Sequence, residues 1–63
     1  MKIHFIDEEE RSEFDAEWPC APGTGDILKF RHKGGTVTYL VNRVEYDVDD
    51  TNGFVGVTVF IDM

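Results

Sequence analysis

The sequence predicts an all-β domain, a small antiparallel barrel or roll of four to five strands spanning residues 1–63. Three observations carry this prediction. Two stretches alternate acid with apolar, Glu13-Phe14-Asp15-Ala16-Glu17-Trp18 and Val44-Glu45-Tyr46-Asp47-Val48-Asp49, and a period of two marks a half-buried strand. Glycine turn signals, Gly34-Gly35 and Asn52-Gly53, separate apolar runs in the manner of hairpins. The long segment Thr36–Asp49 is apolar at odd positions (Val37, Tyr39, Val41) and then at even ones (Val44, Tyr46, Val48). One strand can change phase in this way only through a bulge or sharp bend near Asn42-Arg43, and small barrels use such bends to close their sheet.

The elements follow in order. Met1–Asp7 reads as a strand with Ile3 and Phe5 on one face. Glu8-Glu9-Glu10-Arg11 is a polar connection. Residues 8–18 could alternatively form a short helix, since Phe14 and Trp18 lie four apart and Asp7 could cap it. The unbroken alternation favours a strand over 12–18, ended by Pro19. Residues 19–25, Pro-Cys-Ala-Pro-Gly-Thr-Gly, form a loop. Ile27–His32 is a strand with Leu28 and Phe30 on one face. Thr36–Asp49 follows, and Phe54–Asp62 is the last strand, with Val55, Val57, Val59 and Ile61 turned inward. Gly56 leaves room for a bend or close approach. Phe14, Trp18, Phe54 and Phe60 are expected to be mostly buried.

A chain of 63 residues buries only about 60% of its unfolded surface. Domains of this size often lean on a disulfide, a metal or a partner. Cys20 is the only cysteine, so no internal disulfide forms, and it fits a reducing, cytoplasmic setting. No cationic start precedes an apolar run, so no secretory signal is expected, and no run is long enough to span a membrane as a helix.

The net charge of −7 is unevenly placed. Residues 1–20 carry seven acids against Lys2 and Arg11, or −5. Residues 21–43 carry Asp26 against Lys29, Arg31, Lys33 and Arg43, or +3. Residues 44–63 carry five acids and no base, or −5. Such a surface disfavours nucleic acid and anionic membranes and favours a basic partner.

Sites of chemistry fail on inspection. Asp47–Gly53 suggests a calcium loop, but an EF-hand needs Gly at its sixth position and Glu at its twelfth. Counting from Asp47, those positions hold Asn52 and Thr58. Gly23-Thr24-Gly25 lacks the Lys-Ser/Thr of a phosphate cradle. Cys20 has no neighbouring base to activate it, and two histidines with one cysteine are too few for structural zinc. Lys29, Arg31, His32 and Lys33 form a basic patch that suits an edge strand, where cations discourage aberrant pairing. No enzyme activity, cofactor or metal is expected.

The segments Pro22-Gly23-Thr24-Gly25-Asp26 and Tyr39-Leu40-Val41-Asn42-Arg43-Val44 resemble SH3-like barrels, in which a Gly-Asp turn leads into a strand and a bent strand follows. The resemblance covers residues 22–62 and implies fold alone.

What remains is carboxylate: Glu8, Glu9, Glu10, Glu13, Asp15, Glu17, Glu45, Asp47, Asp49 and Asp50. Residues two apart on a strand face are about 6.6 Å apart. A row such as Glu13-Asp15-Glu17 is therefore evenly spaced negative charge on a stiff element, and carboxylates accept hydrogen bonds from Arg much as phosphates do. In size, charge and acid clustering the chain resembles the small acidic DNA-mimic inhibitors of phages and mobile elements, the anti-CRISPR proteins among them. That resemblance implies a non-enzymatic inhibitor in the host cytoplasm. Its implied partner is a basic nucleic-acid-binding protein or complex, such as the PAM-reading surface of a CRISPR effector, and the ten carboxylates are its implied contact residues. The alternative is a structural or assembly module of a phage or bacterium, forming a homodimer through an edge strand. Whether the two acidic rows share one face decides how well they could imitate phosphates.

Overall fold

The computed structural model describes residues 1–51 and 53–63. Five strands follow in chain order: β1 (Lys2–Asp7), β2 (Ser12–Glu17), β3 (Ile27–His32), β4 (Gly35–Asp49) and β5 (Gly53–Asp62). They form one sheet in the order β2-β1-β5-β4-β3. The sheet curls into a half-barrel, so the expected all-β roll is the observed architecture. β1 pairs with β2, β3 with β4, and β4 with β5 antiparallel, while β1 and β5 run parallel. The parallel pair joins the β1–β2 hairpin to the β3–β4–β5 meander. β2 takes one edge of β1, and β5 returns from β4 onto the other.

The alternative helix over residues 8–18 does not form. Glu8–Arg11 is a turn and Ser12–Glu17 is strand. Asp7, at the start of the turn, is fully buried. Its Oδ1 accepts hydrogen bonds from the Glu9 and Glu10 backbone N–H groups at 3.1 and 3.2 Å. These are the bonds of a helix N-cap, yet they close a single turn, and the chain turns back into a strand at Ser12. Arg11 completes the reversal in the left-handed region, at φ 59°, a conformation costing a non-glycine residue about 1–2 kcal/mol. Among the described residues, Asp7 Oδ2 is the buried side-chain oxygen left without a hydrogen bond.

The phase change in β4 is a bulge. Val41 pairs with Ile61 and Arg43 with Phe60, leaving Asn42 as the extra residue. Asn42 Nδ2 donates to Asp62 Oδ2 at 2.8 Å and Glu8 Oε1 at 3.2 Å, tying the bulge to both neighbouring chain segments. Past it, the first half of β4 leaves β5 and carries β3 over the core. Phe30 on β3 then meets Phe5, Phe14 and Trp18 with ring centroids 5.8, 5.5 and 6.0 Å apart. The two hairpins thus close on one aromatic cluster although β2 and β3 share no ladder. Ile3, Phe5, Leu28, Val41, Val57, Val59 and Ile61 are its buried centre. Burial raises the pKa of the Tyr39 phenol at its margin, and negative charge on Asp7 and Glu10 adds to the effect.

Four expected core positions lie elsewhere. Tyr46, Val48 and Phe54 are 56%, 70% and 52% exposed. The cause is strand length. β1 pairs with β5 only from Val57 onward, so the distal β4–β5 hairpin projects past its neighbours as a two-stranded arm. A second register shift between Asp47 and Val48 sets Val48 opposite Phe54 and leaves Val55 extra. The shift brings Phe54 beside Tyr46, with ring centroids 6.4 Å apart. Val55 is exposed as well. Phe60 is half-buried on the outer side of the sheet, beneath the Arg43 guanidinium at 3.8 Å. The proposed Asn52-Gly53 turn includes Asn52, which lies outside the described residues.

Candidate functional site

The outer face of the sheet is built by the residues that alternate with the core. The ladder fixes their neighbours. Asp15 on β2 stands opposite His4 on β1, His4 opposite Thr58 on β5, and Thr58 opposite Glu45 on β4. Glu17 stands opposite Lys2, and Asp47 opposite Gly56. Since side chains on one sheet face follow the ladder, Glu13-Asp15-Glu17 and Glu45-Asp47 share one face. Asp49 continues the β4 row by alternation. Three inter-strand steps separate the rows, about 14 Å along the sheet, close to the ~12 Å width of the B-DNA major groove.

Between the rows lies an open depression of about 370 Å³ lined by Lys2, His4, Asp15, Asp47, Val55, Gly56, Val57 and Thr58. Gly56 deepens it, because a Cβ there would meet nothing within 4 Å.

The β2 row is locally balanced. His4 is held between two carboxylates, with Nδ1 2.6 Å from Asp15 Oδ1 and Nε2 2.6 Å from Glu13 Oε1. Both ring nitrogens donate only in the imidazolium form. Lys2 Nζ lies 3.5 Å from Asp15 Oδ2, and the amino group of Met1 lies 3.0 Å from Glu17. On β4, Arg43 bonds Glu45 at 3.0 Å and approaches Glu8 at 3.7 Å. These pairs are exposed, so each contributes little stability. They do fix the carboxylates in place.

The remaining predicted residues divide by location. Glu8, Glu9 and Glu10 sit on the exposed β1–β2 turn, and Glu9 Oε2 accepts from the Met63 N–H at 3.4 Å. They flank the end of the outer face and do not extend either row. Asp49 Oδ1 accepts from the Thr51 N–H at 2.8 Å, ordering the tip of the arm beside Asp50. Among the described residues, no group of acidic, histidine or cysteine side chains is placed to hold a metal ion. Cys20 is an exposed free thiol, and among the described residues no helix is long and apolar enough to cross a membrane.

His4 and Lys2 were not singled out from sequence, although a signal was present. Once residues 8–11 are a four-residue turn, the hairpin register places Lys2 and His4 opposite the acids of β2.

The His4 cluster predicts a pH response with a defined sign. Hydrogen bonds to Asp15 and then Glu13 raise the His4 pKa above its ordinary 6.5. The His4 hydrogen bond lowers the Asp15 pKa below its ordinary 3.8. A raised histidine stabilises the fold fully below its unfolded pKa and loses that contribution as pH rises through the folded value. A lowered carboxyl contributes above its unfolded pKa and loses the contribution as pH falls through the folded one. The cluster is therefore complete between pH 3.8 and 6.5. Titration of the His4 ring by NMR should give a midpoint above 6.5, and Asp15→Asn should lower it. An unchanged midpoint in that variant would remove Asp15 as the main cause.

No family profile, curated protein or solved structure matches this chain.

Proposed function

We propose that this protein is a non-enzymatic acidic inhibitor that occupies a basic nucleic-acid-binding surface as a DNA mimic. The observation that carries the reading is the placement of both carboxylate rows on one sheet face at a groove-like separation. A partner's Arg and Lys side chains, spaced to follow phosphates, would meet carboxylates placed in rows by the strand ladder. Long-range attraction would speed encounter, and salt would weaken the complex. A CRISPR effector with an arginine-reading PAM site is the partner class that fits this chemistry, and a phage or mobile-element origin goes with it.

The test uses purified CRISPR effector complexes as the probe, with duplex DNA as competitor. Glu45→Lys combined with Asp47→Lys reverses the β4 row. Binding should be displaced by PAM-containing DNA, fall with salt and weaken at least tenfold in the double variant. Binding that ignores both the DNA and the reversal removes the mimic reading.

A second reading, an assembly module, is favoured by the exposed arm with its Tyr46–Phe54 contact. An isolated two-stranded hairpin is marginal in water, and a partner that covered its apolar side would stabilise it. Under that reading, Tyr46→Ser and Phe54→Ser would abolish binding, and salt would have little effect.

A further inference from the structure

We infer that the two terminal strands of the sheet recognise each other between copies of this chain, with β2 of one copy adding to β3 of the next. This self-recognition deepens the edge-strand homodimer alternative and uses the β2 carboxylates that the DNA-mimic reading also assigns to its partner.

β2 and β3 are the terminal strands of the order β2-β1-β5-β4-β3, so each is laddered on one side alone. Both are six residues long. Their patterns match by face. β2 turns Phe14 and Ala16 toward the core and Glu13, Asp15 and Glu17 outward. β3 turns Leu28 and Phe30 toward the core and Lys29 and Arg31 outward. Laid side by side in one sheet, the strands align apolar with apolar and acid with base. Opposite charges directly across a ladder stabilise it, and like charges oppose it. Contact of β2 with a second β2 sets acid against acid, and β3 with β3 sets base against base. Of the pairings between the terminal strands, the β2–β3 combination is the attractive one.

A second observation points the same way. In a chain of net charge −7, Lys29 and Arg31, like Arg11 and Lys33, make no ion pair among the described residues, whereas Lys2, His4 and Arg43 all do. The fold holds the β3 cations away from its own carboxylates. Glu13, Asp15 and Glu17 keep accepting capacity beyond their present bonds, since a carboxylate has about four lone-pair sites. Edge cations usually prevent strand addition. Here the opposite sign on the other edge converts that protection into selectivity. Two copies pairing reciprocally close as a dimer, and single contacts repeat as a chain.

Sedimentation velocity at low ionic strength tests this with a charge-swap pair. One variant carries Glu13→Lys and Glu17→Lys, making both edges basic. The other carries Lys29→Glu and Arg31→Glu, making both acidic. All four positions are exposed, and circular dichroism checks that the fold persists. The wild type should self-associate and lose association with added salt. Each variant alone should remain monomeric, and an equimolar mixture should associate again. A wild type that stays monomeric at low salt overturns the inference, as does association that both variants retain unchanged. If a variant unfolds, the milder Glu13→Gln with Glu17→Gln should still reduce wild-type association, and failure to do so is equally decisive.

Discussion

Replacing Phe5 with alanine should leave the chain largely unfolded at 25 °C. Phe5 is fully buried, and its ring centroid lies 5.1 Å from Phe14, 5.1 Å from Trp18 and 5.8 Å from Phe30. It therefore sits where β1, β2 and β3 meet, beside the direct Phe14–Phe30 contact at 5.5 Å. Truncating a buried Phe costs about 3–5 kcal/mol, through lost transfer energy and the residual cavity. Single domains are stable by roughly 0.05–0.15 kcal/mol per residue, which for this length is about 3–9 kcal/mol in all. The low end is the appropriate one, because small domains bury a small fraction of their surface. The loss thus matches or exceeds what is available. Urea unfolding followed by circular dichroism should show no native baseline for Phe5→Ala. Val48→Ala, at a 70% exposed position, should move the midpoint little. A Phe5→Ala midpoint equal to wild type would mean that the aromatic cluster does not hold the hairpins together.

That contrast between Phe5 and Val48 marks how far the sequence could be read. Alternation assigns a side chain to a face, and for β1 through β5 it did so correctly in most positions. The apolar side of β4 and the outward acids of β2 followed from period alone. Alternation does not report whether another element covers the face. Tyr46, Val48 and Phe54 lie on an apolar side, yet β1 stops pairing at Ile3↔Val57, and nothing local to β4 or β5 encodes where β1 stops. The second bulge was hidden for a related reason. Its strand reads Phe54-Val55-Gly56-Val57, and adjacent apolar residues show no phase to break. The parallel β1–β5 pair is likewise a long-range choice of edge, without a turn signal between neighbours. At the candidate site, the shared face of the two acidic rows depended on that choice. β1 and β5 had to lie between β2 and β4 for the rows to stand on one continuous surface.

Deleting Asn42 should unfold the domain, and replacing it should not. Asn42 is the unpaired residue between the Val41–Ile61 and Arg43–Phe60 pairs. With it, Val37, Tyr39 and Val41 face the same core as Val44, even though one set is odd and the other even. Without it, β4 becomes continuous in phase, and a one-residue slip turns every side chain on one half to the other face. Either Val44 leaves the β5 side of the core, or the β3–β4 hairpin rotates Leu28 and Phe30 into solvent. Fully burying one such side chain is worth about 1.5–3 kcal/mol, so exposing Leu28, Phe30 and Val41 together exceeds the low-end stability. Asn42→Ala keeps the residue count and therefore the phase. It loses the hydrogen bonds to Asp62 and Glu8 and should cost only about 1 kcal/mol. Proton NMR separates the outcomes: dispersed amide signals for Asn42→Ala, collapsed ones for the deletion. A folded deletion variant of wild-type stability would mean that the number of residues at this bend does not set the fold. The folded Asn42→Ala variant would then reveal what the amide contributes by itself, namely tethering the bend to the C-terminal strand and the acidic turn.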